Sequence, residues 1–155
     1  MTVNLRPYTE TDLGELLQLI KTAFKEHEGV VDPPPSAKGK TLAILRDELT
    51  RFQAVLAEVD GRLIGSVFFK LKGKQLYMGR LAVLPELRGR GVARNLLEAV
   101  EDEARRQGCE AVILNVRVAL ARQQAIYRHW GFEAYGYGSH EGFATATFIR
   151  MRKLL

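Results

Sequence analysis

Apolar and polar positions along this chain switch between a period of two and a period near 3.6, and each switch marks an element. The opening V-N-L-R-P-Y reads as a short strand. Behind Thr9 or Thr11 as cap, Leu13, Leu16, Leu17, Ile20 and Phe24 recur on one helical face. Residues 28–38 are rich in breakers, and three consecutive prolines there forbid a helix. A second amphipathic helix is predicted over residues 40–50. Two strands follow, 52–59 and 62–70, joined by Asp60-Gly61, a dipeptide that favours a tight hairpin. Lys72-Gly73-Lys74 turns the chain into a strand over 75–83. A helix over 91–107 presents Ala93, Leu96, Leu97, Val100 and Ala104 on its inner face and ends at Gly108. Residues 110–116 form a buried-type strand, 119–130 a helix stopped by Gly131, and 132–137 and 145–153 the last strands. The order βααβββαβαββ predicts one α/β domain on a mixed sheet. No repeat, low-complexity tract or linker divides it.

Chemistry concentrates in V-L-P-E-L-R-G-R-G-V-A, residues 83–93. A strand ends at Pro85, two glycines flanked by arginines follow, and a helix begins. Gly89 and Gly91 can adopt turn conformations closed to other residues and let the main chain approach a ligand. The first N–H groups of the helix have no partner within it, and its dipole favours an anion above them. Arg88, Arg90 and Arg94 add positive charge. The expected guest is a phosphate or pyrophosphate. A P-loop is excluded because Val92 and Ala93 stand where Lys and Ser/Thr are needed. A Rossmann fingerprint is disfavoured by Arg94 at its third small position.

With these residues the chain resembles the GNAT superfamily of N-acetyltransferases. The family's Gln/Arg-x-x-Gly-x-Gly/Ala motif is matched by Arg88, Gly91 and Ala93. Its Y-x-x-x-G-F element is matched by Tyr127, Gly131 and Phe132. The resemblance is close over residues 52–155 and holds only in layout before them. It implies a central mixed, mostly antiparallel sheet with helices on both faces. It implies acetyl-CoA as donor, with the pyrophosphate on the N–H groups of Arg88, Gly89, Arg90, Gly91, Val92, Ala93 and Arg94. The pantetheine arm would lie along Leu81, Ala82 and Val83, where two strands splay, and an N–H near Val83 would polarise the thioester carbonyl. Tyr127 would meet the departing sulfur. The acceptor would be a small-molecule or peptide amine, attacked upon directly in a ternary complex. The family's Asn and Ala before the tyrosine are replaced here by Leu120 and Gln123.

The base that deprotonates the amine is open at this level. His140, in the last inter-strand connection, has suitable chemistry and a suitable place. Glu141, Glu26, His27 and Glu28 are further candidates, and a substrate arriving neutral needs none. The segment 28–38 reads equally as an acceptor-side lid or a connector. Composition narrows the alternatives. The net charge of +5, from 23 basic and 18 acidic residues, suits an anionic ligand. No zinc-knuckle spacing or aromatic-studded strand supports nucleic-acid binding. The single Cys109 reads as a buried thiol, not an acyl carrier. No metal, membrane or nucleic-acid partner is expected. No apolar run is long enough for a bilayer and no signal-like segment opens the chain, so the expected compartment is cytoplasmic. A homodimer through residues near 143–148 is compatible with the resemblance. The alternative to an enzyme is a non-catalytic acyl-CoA-binding module.

Overall fold

The structure, a computed structural model, describes residues 1–155. It has the elements β1 (Asn4–Pro7), α1 (Leu13–Phe24), α2 (Leu42–Arg51), β2 (Gln53–Val59), β3 (Arg62–Lys72), β4 (Gln75–Val83), α3 (Val92–Arg106), β5 (Ala111–Arg117), α4 (Ala121–His129), β6 (Glu133–Gly138) and β7 (Phe148–Leu154). The order is the one predicted, with β4 at its predicted bounds and most other ends shifted by one to three residues. Thr9 caps a 3-10 turn, Glu10–Asp12, that leads into α1, and Asp12 closes the capping box.

Seven strands form one sheet in the order β1-β2-β3-β4-β5-β7-β6. Every neighbouring pair is antiparallel except β4 with β5. The β2–β3 hairpin turns on Asp60 and Gly61, at φ 50° and 80°. Such left-handed values at both central residues match the twist of a two-residue hairpin. α3 packs on β2, β3, β4 and β5, and α1 packs on β3, β4 and α2.

Amphipathic spacing explains which faces are buried. On α3, Val92, Leu96, Leu97, Val100 and Ala104 enter the core, whereas Ala93, expected inside, is only half-buried beside the cavity described below. On α1 the buried set is Leu13, Leu16, Leu17, Leu19, Ile20 and Ala23. Two features of β4 shape the functional region. Its pairing with β5 covers only Gln75 to Tyr77 against Ala111 to Ile113. Beyond that point the two strands separate. Its register with β3 also slips between Phe68–Gly79 and Ser66–Ala82, leaving an extra residue at Arg80, whose φ is +52°. That bulge bends the strand and re-aims its side chains.

Candidate active site

The gap between β4 and β5 opens into a cavity of about 1050 Å³. Its walls are Tyr77 to Val83 of β4, Leu114 to Arg117 of β5, the loop from Leu87 into α3, one side of α4, the end of α1, and Val30, Val31 and Pro35 to Ala37. Because β5 has moved away, the β4 edge from Met78 to Val83 on this side has no partner strand. A linear ligand with amide groups could hydrogen-bond there.

At one end is the glycine loop. Gly89 and Gly91 have φ of 77° and 81°, and Gly91 is the N-cap of α3. A Cβ at either would meet no protein atom, so what excludes larger residues is the left-handed backbone and the space above it. The Arg88 N–H donates to Pro85 O and the Asn95 N–H to Gly91 O, while the N–H groups of Gly89 to Arg94 between them bond no main-chain carbonyl. Unpaired N–H groups at the start of a 15-residue helix are an anion site by geometry and by dipole. The cradle fits a pyrophosphate.

The arginines behave differently from the expectation that all three charge this loop. Arg88 donates from Nη1 to Glu26 Oε1 at 2.6 Å, from Nη2 to Ala23 O at 3.0 Å and from Nε to Val83 O at 3.3 Å. Its charge is largely committed to pinning the loop against the end of α1. Arg94 lies 3.4 Å from Glu98 and 3.7 Å from the buried Glu101, and its guanidinium sits 5.9 Å from the Trp130 ring centre. It still lines the cavity; Arg90 does not. Leu81, Ala82, Val83, Val92 and Ala93 all do.

Tyr127 lines the cavity from α4. Gly131, at φ 96°, ends that helix. The Phe132 N–H donates to Tyr127 O and the Gly131 N–H to Arg128 O, both at 3.0 Å, which is a Schellman cap. Phe132 is buried and packs edge-on against the Tyr127 ring at 5.7 Å, and Trp130 does so at 5.9 Å. The Tyr-x-x-x-Gly-Phe spacing therefore orients the tyrosine by stopping its helix. Burial, with Tyr77 nearby, pushes the Tyr127 phenol up to about 12.

The structure does not bring His140 into the cavity. Its backbone N–H donates to Thr147 Oγ1 at 2.9 Å, its Nδ1 also meets Thr147 Oγ1, and its ring packs against Phe148 at 5.4 Å. These contacts tie the β6–β7 connection together. His27 is the histidine that sequence ranked lower and the fold brings in. It lines the cavity, with Nε2 at 3.5 Å from Gln123 Nε2 and 3.6 Å from Glu26 Oε1, and burial lowers its pKa. A neutral imidazole on the cavity wall is suited to accept a proton. Of the other candidates, Glu26 lines the wall but is held by Arg88. Cys109 is buried at the α3–β5 junction, away from the cavity, and burial raises its pKa.

Two wall residues were not anticipated as functional. Arg80 projects from the bulge to Glu48 of α2 at 3.1 Å, and Glu48 is shared with the buried Lys40. Burial opposes ionisation of Glu48, but Lys40 and Arg80 outweigh it and hold the carboxyl below its ordinary range. Arg117 donates to Pro33 O at 2.7 Å and Pro34 O at 3.2 Å, fastening the proline segment across the end of β5. The sequence signal for the first was Gly79-Arg80 inside a strand, since an internal glycine often marks a bulge. No local signal marks the second.

The fold is that of the N-acetyltransferases: a seven-stranded, mostly antiparallel mixed sheet whose β4 and β5 part beside a helix N-terminus. The sequence profile of the acetyltransferase (GNAT) family matches residues 14–132, and the chain belongs to that family. It is 38% identical over 84 residues to an IAA acetyltransferase of Azospirillum brasilense, a match covering 53% of this chain and 55% of that protein. The chain thus aligns with about half the length of that relative. Among solved structures, it superposes with a TM-score of 0.83 on the PaiA N-acetyltransferase of Thermoplasma acidophilum in complex with coenzyme A, at 19% identity over all of both chains. Ard1 of Thermoplasma volcanium superposes at 0.81, with 17% identity, covering 100% of this chain and 99% of that one. No helix is long and apolar enough to cross a membrane.

Proposed function

We propose that this protein is an N-acetyltransferase that moves an acetyl group from acetyl-CoA to a primary amine by direct attack in a ternary complex. The observation that carries this reading is a single cavity joining three features: a row of free N–H groups at α3, an unpaired edge of β4, and a phenol on α4. Acetyl-CoA supplies an activated acyl carbonyl with a thiolate leaving group. The N–H groups from Gly89 to Arg94 would hold the pyrophosphate, and the edge from Leu81 to Val83 would bond the pantetheine amides. A free N–H of that edge, aimed at the carbonyl oxygen, stabilises charge that develops there.

The amine nitrogen forms the new C–N bond as the C–S bond breaks, and sulfur leaves with the electron pair. Tyr127, with its pKa near 12, serves as hydrogen-bond donor to that sulfur and not as the source of its proton. The proton lost by the amine passes to His27 or to water. Calorimetric titration with acetyl-CoA, followed by thiol-release assays over an amine panel, tests the reading. Micromolar binding with amine-dependent release supports it. Binding without release for any amine would instead define an acyl-CoA-binding module, and no binding would refute both.

A further inference from the structure

The charged lining of the cavity is almost all of one sign. Its arginines are Arg80, Arg88, Arg94, Arg117 and Arg122, against one carboxylate, Glu26, which Arg88 already occupies at 2.6 Å. The arginines also divide by position. Arg88 pins the glycine loop and Arg94 lies in the first turn of α3. Arg80 and Arg117 line the cavity from β4 and β5, fastened by Glu48 and by the carbonyls of Pro33 and Pro34.

Arg80 is the more demanding case. Three charged groups meet at Glu48, and two of them, Lys40 and Arg80, are cations. The cluster keeps a net positive charge, with Lys40 buried and the Arg80 side chain, 32% exposed, lining the cavity. Excess charge in a partly buried place is unfavourable unless something complements it. The backbone at Arg80 is also in the left-handed region, at φ +52°, where a non-glycine residue is held only if its surroundings dictate it. Arg117 bonds only carbonyl oxygens and has no carboxylate in salt-bridge contact.

Resting on the acetyltransferase reading, we propose that the acceptor is an amine that carries a carboxylate, in the simplest case a free amino acid. Arg80, held by Glu48, receives the carboxylate, and Arg117 adds to the field that draws it in. The amino group is then directed at the thioester beside the bulge. A planar guanidinium meets a carboxylate with two parallel hydrogen bonds, so the contact orients the acceptor as well as holding it. The same wall disfavours polycations, which would bring positive charge against Arg80, Lys40 and Arg117.

The test uses the intact protein and three acceptor sets: free amino acids, the same amino acids as carboxamides, and spermidine. Thiol release is followed for each. The free acid is expected to exceed its carboxamide in kcat/KM by about tenfold to a hundredfold, the range of a charge-assisted contact. Arg80→Gln is expected to raise KM for the acid by a similar factor while leaving the carboxamide and the acetyl-CoA Kd within about twofold, with Arg80→Lys recovering part of the loss. Preference for the carboxamide or spermidine overturns the proposal. So does an equal effect of Arg80→Gln on both acceptors, or no turnover of any free amino acid while acetyl-CoA binds. The wild-type comparison stands even where a variant fails to fold. Failure to bind acetyl-CoA would instead strike the underlying acetyltransferase reading, and the proposal with it.

Discussion

Replacing Tyr127 by Phe removes one hydroxyl and keeps the ring that packs on Trp130 and Phe132. The magnitude follows from the phenol's environment. Its pKa is pushed up to about 12 by burial and by Tyr77. A thiol ionises near 8.5, so handing the proton to a thiolate would run uphill by about 5 kcal/mol. The hydroxyl therefore acts by donating a hydrogen bond to the sulfur as charge builds on it. A hydrogen bond to a charged group contributes about 1.5–3 kcal/mol, which lowers kcat about tenfold to 150-fold when it is lost.

The contact strengthens in the transition state, so kcat and kcat/KM should fall together while the acetyl-CoA Kd changes little. Steady-state thiol release at several pH values and calorimetric titration of both proteins measure this. The phenol stays protonated throughout the working range, so Tyr127 should contribute no basic limb to the wild-type profile. Two results would refute the reasoning. One is a loss in kcat below about threefold, smaller than any such hydrogen bond. The other is a basic limb near pH 8–9 that disappears in Tyr127→Phe, which would make the tyrosine a true proton donor with a much lower pKa.

Gly91→Glu forces a side chain onto a residue at φ 81° and sets a carboxylate among the N–H groups of the cradle. Acetyl-CoA affinity should fall at least about a hundredfold by calorimetry, while far-ultraviolet circular dichroism stays native. His27→Gln should lower kcat by about two orders of magnitude at pH 7, the usual size of a general-base contribution. His140→Ala should leave kcat nearly unchanged. Burial lowers the His27 pKa, so its imidazole stays neutral below its usual value and the acid limb of the rate profile should begin under pH 6.5. Asp12, bonded by both Arg6 Nη atoms at 2.8 and 2.9 Å, has its pKa lowered from 3.8 to about 2 by that guanidinium. A depressed carboxyl stabilises the fold above its unfolded pKa and loses that contribution as pH falls through the folded one. The pair is thus worth about 2 kcal/mol at neutral pH, lost between about pH 4 and pH 2. Urea denaturation of wild type and Asp12→Asn should differ at pH 7, and at pH 2.5 the gap should shrink to about a third of that.

What could be read without coordinates was what the backbone decides locally. Asp60-Gly61 foretold a hairpin because few dipeptides accept two left-handed residues. Gly89 and Gly91 foretold a cradle because they leave N–H groups exposed above a helix, and Gly131-Phe132 foretold a helix stop that aims Tyr127. Each depends on residues within a few positions. The parts that escaped depend on partners far along the chain. Arg88 looks like a phosphate ligand until Glu26 and Ala23, more than sixty residues earlier, are seen to hold it. His27 reads as one of several further base candidates until the fold sets it on the cavity wall beside Gln123, 96 residues away. His140 sits in the right connection, but Thr147 and Phe148 turn its ring to a local task. Charge is the clearest case. Composition supplied a sum of +5, but that sum says nothing about which cations are neutralised. Only the fold shows that Arg88 is committed and that Lys40 and Arg80 share one carboxylate. The family's motifs pointed to the glycine loop and the tyrosine. This distribution of charge is visible only in the folded chain, and a carboxylate on the acceptor, as proposed above, is the chemistry that would complete it.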